Sequence, residues 1–386
     1  MRSTFTKLGL MLFLASINLG LQAQTFTNQT GALNPFNGVT FAQARETAVD
    51  IDGDGVIDVF AGTSAGTIRY FKNTGTKYAP VFTEQTGTAN PLNGVNEGFE
   101  SYVKFVDIDG DGVLDAFITN GYGYVFYYKN TGTKNAPVFT KQTGTSNPLS
   151  FVSIGGWRCV IDFVDIDGDG DMDAFIGNND GGVQYFKNTG TKYAPVFVEQ
   201  TGTSNPLSSV AVGNLAAPAF VDINNDGVMD VFVGAFDGTV SYYKNIGTTT
   251  SPSFAIQTGT SNPLSSVSIG SGNRAVPAFA DLDGDGDQDV LIGSYSSNMF
   301  YYKNGSTGTG LDNATANALS IYPNPATDGF TLDAGEQTIT VTVFDLSGAL
   351  VLTQQATGKS YIDITSLKNG VYVVKANGLV SKLVKK

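Results

Sequence analysis

VDIDGDGVIDVF, residues 49–60, sets Asp50, Asp52, Asp54 and Asp58 within one short loop and places no cation among them. Like charges this close repel, so a partner is required. The pattern is not isolated. It returns as Asp107, Asp109, Asp111 and Asp115, and again as Asp165, Asp167, Asp169 and Asp173. Two further copies are Asp222, Asn224, Asp226 and Asp230, and Asp281, Asp283, Asp285 and Asp289. The period of about 58 residues marks stacked supersecondary units.

Two other motifs keep the same beat. YFKN or YYKN begins at Tyr70, Tyr127, Tyr185, Tyr242 and Tyr301. FxxQTG begins at Phe26, Phe82, Phe139, Phe197 and Phe254. Aromatic and β-branched residues alternate between Gly, Asn and Pro punctuation, so each unit reads as four strands. Four strands per unit suit a propeller blade. The array opens with a lone fourth-strand motif at Phe26 and ends at Lys303 with no fourth strand of its own. The expected fold is therefore all-β: a five-bladed β-propeller closed by the N-terminal strand over 24–305. An open solenoid is the alternative.

In each loop, positions 1, 3, 5 and 9 carry acids or Asn, and position 6 is Gly. Alternate side chains of a tight loop can turn to one centre, and position 7 can add a backbone carbonyl, here from Val56, Val113, Asp171, Val228 or Asp287. Ca²⁺ takes about 6–8 oxygens, so about five structural Ca²⁺ ions are expected. An EF-hand needs Glu at position 12, where this chain has Ala61, Ile118, Ile176, Val233 and Ile292. The loops thus join strands. The alternative is a solvated acidic turn. Zinc is disfavoured, because the chain has no His and one Cys, Cys159.

DIDGDGVIDVFAG (50–62) resembles the FG-GAP/VCBS-type repeats of calcium-binding β-propellers, over residues 26–304. The resemblance implies calcium loops on one face, with a structural role, and ligands on the other. Seven blades are usual in integrin-type rings, so five put an integrin-like partner mode in doubt.

The remaining chain reads in three parts. Arg2, Lys7, the apolar run Leu8–Leu19 and Ala23 make residues 1–23 an expected export signal. Residues 306–317 read as a linker. Residues 318–386 alternate as a small β-sandwich. Their YPNP, DLSG and LKNGVYVVK stretches resemble the C-terminal sorting domain of the type IX (Por) secretion system of Bacteroidetes. That implies Sec export, contact with the type IX machinery, and an extracellular or outer-membrane surface location. An ordinary adhesive sandwich is the alternative. No transmembrane segment is expected in the mature chain. The net charge of −13 argues against nucleic acid.

Ligand contacts are expected where the repeats diverge, away from the acidic loops. Candidates are Trp157, Arg158, Tyr122, Asn179, Phe236, Arg274 and Tyr295, an aromatic and polar set suited to a sugar. Trp157 could equally pack the rim. The expected role is adhesion or substrate capture through a glycan or an extracellular protein. A structural matrix protein is the alternative. A polysaccharide-active enzyme is the third reading; Glu97 and Glu100 could serve it in principle but share one loop, so no catalytic residue is expected.

Overall fold

The computed structural model describes residues 24–41, 43, 45–154, 158–295, 299–305, 321–333, 338–345, 349–376 and 379–386. The expected export signal, the linker and Trp157 lie outside these residues. The chain divides into two units, Met1–Gly308 and Thr309–Lys386.

The first unit is built of antiparallel four-stranded sheets in a propeller-like series. Strand β1 (Phe26–Gln29) precedes them. Sheet one holds β2 (Arg45–Val49), β3 (Asp58–Gly62), β4 (Ile68–Asn73) and β5 (Phe82–Gln85). Sheet two holds β6 (Tyr102–Val106), β7 (Asp115–Thr119), β8 (Val125–Asn130) and β9 (Phe139–Gln142). Sheet three holds β10 (Val160–Val164), β11 (Asp173–Gly177), β12 (Val183–Asn188) and β13 (Phe197–Gln200). Sheet four holds β14 (Ala217–Val221), β15 (Asp230–Gly234), β16 (Val240–Asn245) and β17 (Phe254–Gln257). The last sheet holds β18 (Val276–Ala280), β19 (Asp289–Gly293) and β20 (Met299–Asn304), and β1 is its fourth strand.

The register of β1 repeats that of the other outer strands. Phe26 pairs with Asn304 as Phe82 pairs with Asn73. The Asn that follows each FxxQTG motif also keeps its role. Asn90 Nδ2 donates to the Ile68 carbonyl at 2.9 Å, and Asn34 Nδ2 donates to the Met299 carbonyl at 3.0 Å. The N-terminal motif therefore does for β20 what its copies do for their own repeats.

First strands lie side by side: β2 against β6, β6 against β10, β10 against β14, β14 against β18, and β18 against β2. Aromatic pairs join neighbouring sheets. Phe60 meets Phe105 at 4.7 Å, and Phe117–Phe163, Phe175–Phe220 and Phe232–Phe279 repeat the contact. Such tilted ring pairs add to area burial. Leu291 and Ala48 hold the equivalent places between the last sheet and the first.

Glu46 breaks the pattern on β2. Val103 and Ile161 occupy the same strand position in the next two repeats. The Glu46 carboxyl is fully buried and neither oxygen makes a hydrogen bond. Burial pushes it up to about 8, although backbone groups of Glu46 and Gly293 ease its ionisation. The folded state thus holds a proton that the unfolded chain releases above its ordinary value of 4.5. Its contribution to stability falls as pH rises from there through about 8. Glu46→Val is expected to raise the melting temperature, with a gain larger at pH 9 than at pH 5. A gain independent of pH would show that Glu46 is not buried as an acid.

The second unit has two antiparallel sheets. One is β21 (Ile321–Tyr322), β22 (Gly329–Asp333) and β25 (Lys359–Asp363). The other orders β24 (Leu350–Ala356), β23 (Ile339–Phe344), β26 (Gly370–Ala376) and β27 (Leu379–Lys385). Phe330 and Ile362 from one sheet share a core with Val341, Val343, Val374 and Leu383 from the other. Among the described residues, no helix is long and apolar enough to cross a membrane.

Candidate functional site: acidic loops and the opposite pole

Each acidic loop joins the first strand of a sheet to the second. The chain turns by placing position 4 in the left-handed region: Gly53, Gly110, Gly168 and Gly284 have φ between 66° and 76°, and Asn225 has φ 55°. Asn is the residue that best tolerates this region after Gly. The Oδ2 of Asp50 accepts from the Gly55 N–H at 3.1 Å, and the Oδ1 of Asp54 accepts from the Val56 N–H at 3.1 Å. The other loops repeat both bonds, including the position-7 donors Val113, Asp171, Val228 and Asp287.

Carboxylate oxygens of Asp50, Asp52 and Asp54 gather within 4.8 Å of one another. So do those of Asp107, Asp109 and Asp111, of Asp165, Asp167 and Asp169, and of Asp281, Asp283 and Asp285. These triplets could hold metal ions. Buried oxygens within them lack any hydrogen-bond partner: Oδ1 of Asp50, Asp52, Asp109 and Asp167. Unpaired buried carboxylate oxygens are costly, and a cation is the partner that suits them.

A cation invisible in the loop sequence also reaches it. The lysine of YxKN, on the third strand, turns back to the triplet. Lys72 Nζ contacts Asp52 and stands 3.1 Å from Asp54 Oδ2. Lys129, Lys187 and Lys303 make the same pair of contacts, and Lys244 stands 3.7 Å from Asp226. One ammonium offsets part of the charge and leaves each triplet anionic.

The position-9 acids stand apart from the triplets. Asp58, Asp115, Asp173, Asp230 and Asp289 begin the second strands and are fully buried. Asp58 accepts from Tyr70 OH at 2.8 Å and from the Asn73 N–H at 2.7 Å. All five repeats share this arrangement. Burial pushes these acids up to about 6 or 7. They tie the acidic loop to the third strand and can offer a cation only their remaining lone pairs.

The next repeat covers four of the five loops with a hairpin tip. Lys134 lies against Gly53, Tyr193 against Gly110, Thr250 against Gly168, and Tyr78 of the first repeat against Gly284. Asn135 Nδ2 also donates to the Asp52 carbonyl at 2.8 Å. The fifth repeat borrows β1 as its outer strand, so the fourth loop has no such tip among the described residues. That loop also has Asn224 in its triplet, and Asn224 Nδ2 donates to Asp230 at 3.2 Å. Ligand charge sets affinity. The fourth loop is expected to fill last in a calcium titration, and Asn224→Asp to tighten that last step. A last step untouched by Asn224→Asp would refute this order.

At the other pole, residues before the first strands converge. Glu100 is buried, and its Oε2 accepts from Arg45 Nη2 at 2.7 Å. Its Oε1 accepts from Arg274 Nη1 at 3.0 Å, and Arg158 Nε also donates to Oε2. Burial opposes ionisation of Glu100, but the Arg158 hydrogen bond and the charges of Arg45 and Arg274 hold its carboxyl below the usual range. The Arg274 guanidinium lies 4.2 Å from the Tyr295 ring centroid and 5.8 Å from that of Phe236.

So Arg158, Arg274, Tyr295 and Phe236 come together. Tyr122 packs instead beside Phe99, at 6.4 Å between ring centroids, and is largely exposed. Asn179 lends its backbone carbonyl to the Leu215 N–H. Arg45 and Gln43 were not among the residues picked from sequence. Glu97 is paired with Lys141 at 2.7 Å and with Tyr128 OH.

Comparison with known proteins bears on both units. The FG-GAP-like repeat family matches residues 50–118, 107–176, 165–233 and 222–292, and the FG-GAP repeat matches 274–311. The secretion system C-terminal sorting domain matches residues 320–386. No match was found among curated proteins. One similar structure is PorZ, a surface component of the type IX secretion system of Porphyromonas gingivalis. It is 16% identical with a TM-score of 0.31, over 88% of this chain and 51% of PorZ, so the chain spans about half the length of PorZ. An Agrocybe aegerita lectin specific for non-reducing terminal N-acetylglucosamine is 17% identical with a TM-score of 0.35, over 84% of this chain and 83% of the lectin. A thermostable family-43 glycoside hydrolase is 10% identical with a TM-score of 0.44, over 70% of this chain and 91% of the hydrolase. Similarity this loose carries no functional argument. The repeat match, by contrast, spans well over half the chain: the protein belongs to the FG-GAP-like repeat family, and its type IX sorting domain directs it to the cell surface or the medium.

Proposed function

We propose that the repeat unit is a closed five-bladed β-propeller, stabilised by calcium, that binds a glycan or a surface protein in adhesion or substrate capture. Pairing of β1 with β20 and contact of β18 with β2 support the closed ring. The gathered triplets and their unpaired oxygens support calcium at Asp50, Asp52 and Asp54 and at the corresponding residues of the other repeats. Val56 and its counterparts can add backbone carbonyls.

One observation carries the binding reading. The repeats share a single network at the acidic loops and part company at the other pole. There the equivalent residues are Gln43, Glu100, Arg158, Leu215 and Arg274, and exposed rings of Phe236 and Tyr295 stand beside them. A face that varies on a fixed frame is where ligand choice resides. Binding is favoured over catalysis because Glu97 and Glu100 are both tied up in ion pairs.

The test is a glycan-array screen of the mature chain, with calcium and after chelation. A defined hit lost with calcium supports the reading. A blank from folded protein, together with no capture by intact cells, would overturn it in favour of a structural matrix role.

A further inference from the structure

Gln43, Glu100, Arg158, Leu215 and Arg274 each stand two residues before a first strand. All five are left-handed, with φ of 64°, 54°, 72°, 56° and 54°, and none is Gly. Non-glycine residues rarely adopt this conformation, and strain of this kind concentrates where function holds it. Gln43, Arg158, Leu215 and Arg274 line one cavity with Arg45, Val160, Ala217, Val276 and Tyr295.

The charges there do not cancel. Arg45, Arg158 and Arg274 share a single carboxylate, Glu100. Three guanidinium groups around one carboxylate make a cationic cluster in a chain whose net charge is −13. The next charged groups along the first strands, Lys104 and Asp162, neutralise each other at 2.6 Å. Arg274 Nε is buried with no acceptor, and Gln43 Oε1 is buried with no donor. Arg45 is buried and Arg158 and Arg274 are partly so, and a cationic cluster with an unsatisfied Arg274 N–H suits an anion.

Size limits what enters. The cavity measures about 20 Å³, room for one terminal group and not for a whole sugar ring. Guanidinium forks match the oxygens of carboxylate and sulfate. The Tyr295 ring beside Arg274 offers an apolar wall to the ring that carries the acid.

We propose that this cavity receives the anionic end group, a carboxylate or sulfate, of an acidic saccharide presented end-on. The inference rests on the binding-face reading above and narrows it to one ligand chemistry.

Isothermal titration of the calcium-loaded mature chain tests it with glucuronate, glucose 6-sulfate and glucose. At least one acid should bind about tenfold tighter than glucose. That preference should shrink as sodium chloride rises. Arg274→Gln should remove it while leaving unchanged the rise in melting temperature that calcium produces, which reads the acidic loops at the other pole. If Arg274→Gln fails to fold, the wild-type comparison and its salt dependence still decide. Equal binding of all three sugars, or binding of none, would overturn the proposal. A neutral glycan hit retained in Arg274→Gln would also overturn it, while leaving the binding face intact.

Discussion

Chelation of divalent cations is expected to lower the melting temperature of the repeat unit by about 20 °C or more. A ligand at a hundredfold its Kd stabilises by about 2.7 kcal/mol per site. One kcal/mol moves the midpoint of a domain of this size by about 2–4 °C, so a few occupied loops suffice. The ion's work is specific. It would meet the unpaired oxygens of Asp50, Asp52, Asp109 and Asp167, which a single lysine per loop leaves without a partner. Differential scanning calorimetry with and without EDTA reads the effect. Calcium should restore the transition and magnesium should do so poorly, because Mg²⁺ prefers a few carboxylates and several waters. The transition of the C-terminal unit should not move, since its described residues hold no acidic triplet. An unchanged repeat-unit transition would end the calcium reading.

Glu100→Ala should be the most damaging single substitution at the opposite pole. The side chain has no exposed surface, and three guanidinium groups converge on it. Removing it leaves one buried and two partly buried cations facing one another. Losing one member of a buried ion pair costs about 3–5 kcal/mol, which becomes a fall of about 10 °C at 2–4 °C per kcal/mol. Adding Arg158→Gln to Glu100→Ala should recover part of the loss, because the two residues are coupled. Thermal unfolding at saturating calcium reads both variants. A Glu100→Ala protein that melts with the wild type would mean that the arginines are solvated.

The frame of this protein was legible because it is written in repeated form. The period gave the number of units. The stray FxxQTG at Phe26 announced the partner of YYKN at Tyr301, and the pairing observed is Gln29 with Tyr301. Positions 1, 3 and 5 of each loop were legible because neighbouring residues of a tight turn have few places to go. What escaped needed the third dimension. Lys72 belongs to a strand whose sequence reads as ordinary, and only the antiparallel return of β4 past β3 brings it to Asp52. Tyr70 reaches Asp58 by the same route. Arg158 and Arg274 stood out as candidate ligand contacts, but their convergence with Arg45 on Glu100 joins residues separated by whole repeats. Aligning the repeats two residues before the first strand sets Glu100, Arg158 and Arg274 side by side, while Arg45 begins β2 itself. The left-handed backbone shared by Gln43, Glu100, Arg158, Leu215 and Arg274 has no signal in sequence, because no Gly marks it.

The pairing of residues 26–29 with 301–304 makes assembly wait for both ends of the array. Most contacts of a repeat are local and can form as the chain emerges. This one spans the whole array and carries the full entropy of closing it, so it belongs to the last step of folding. The same delay has a hazard. Until its own N-terminus docks, β20 offers an open edge that the N-terminal strand of another copy fits equally well. Crowded refolding should therefore yield chain-exchanged dimers in which every strand pair of the monomer is preserved across two molecules.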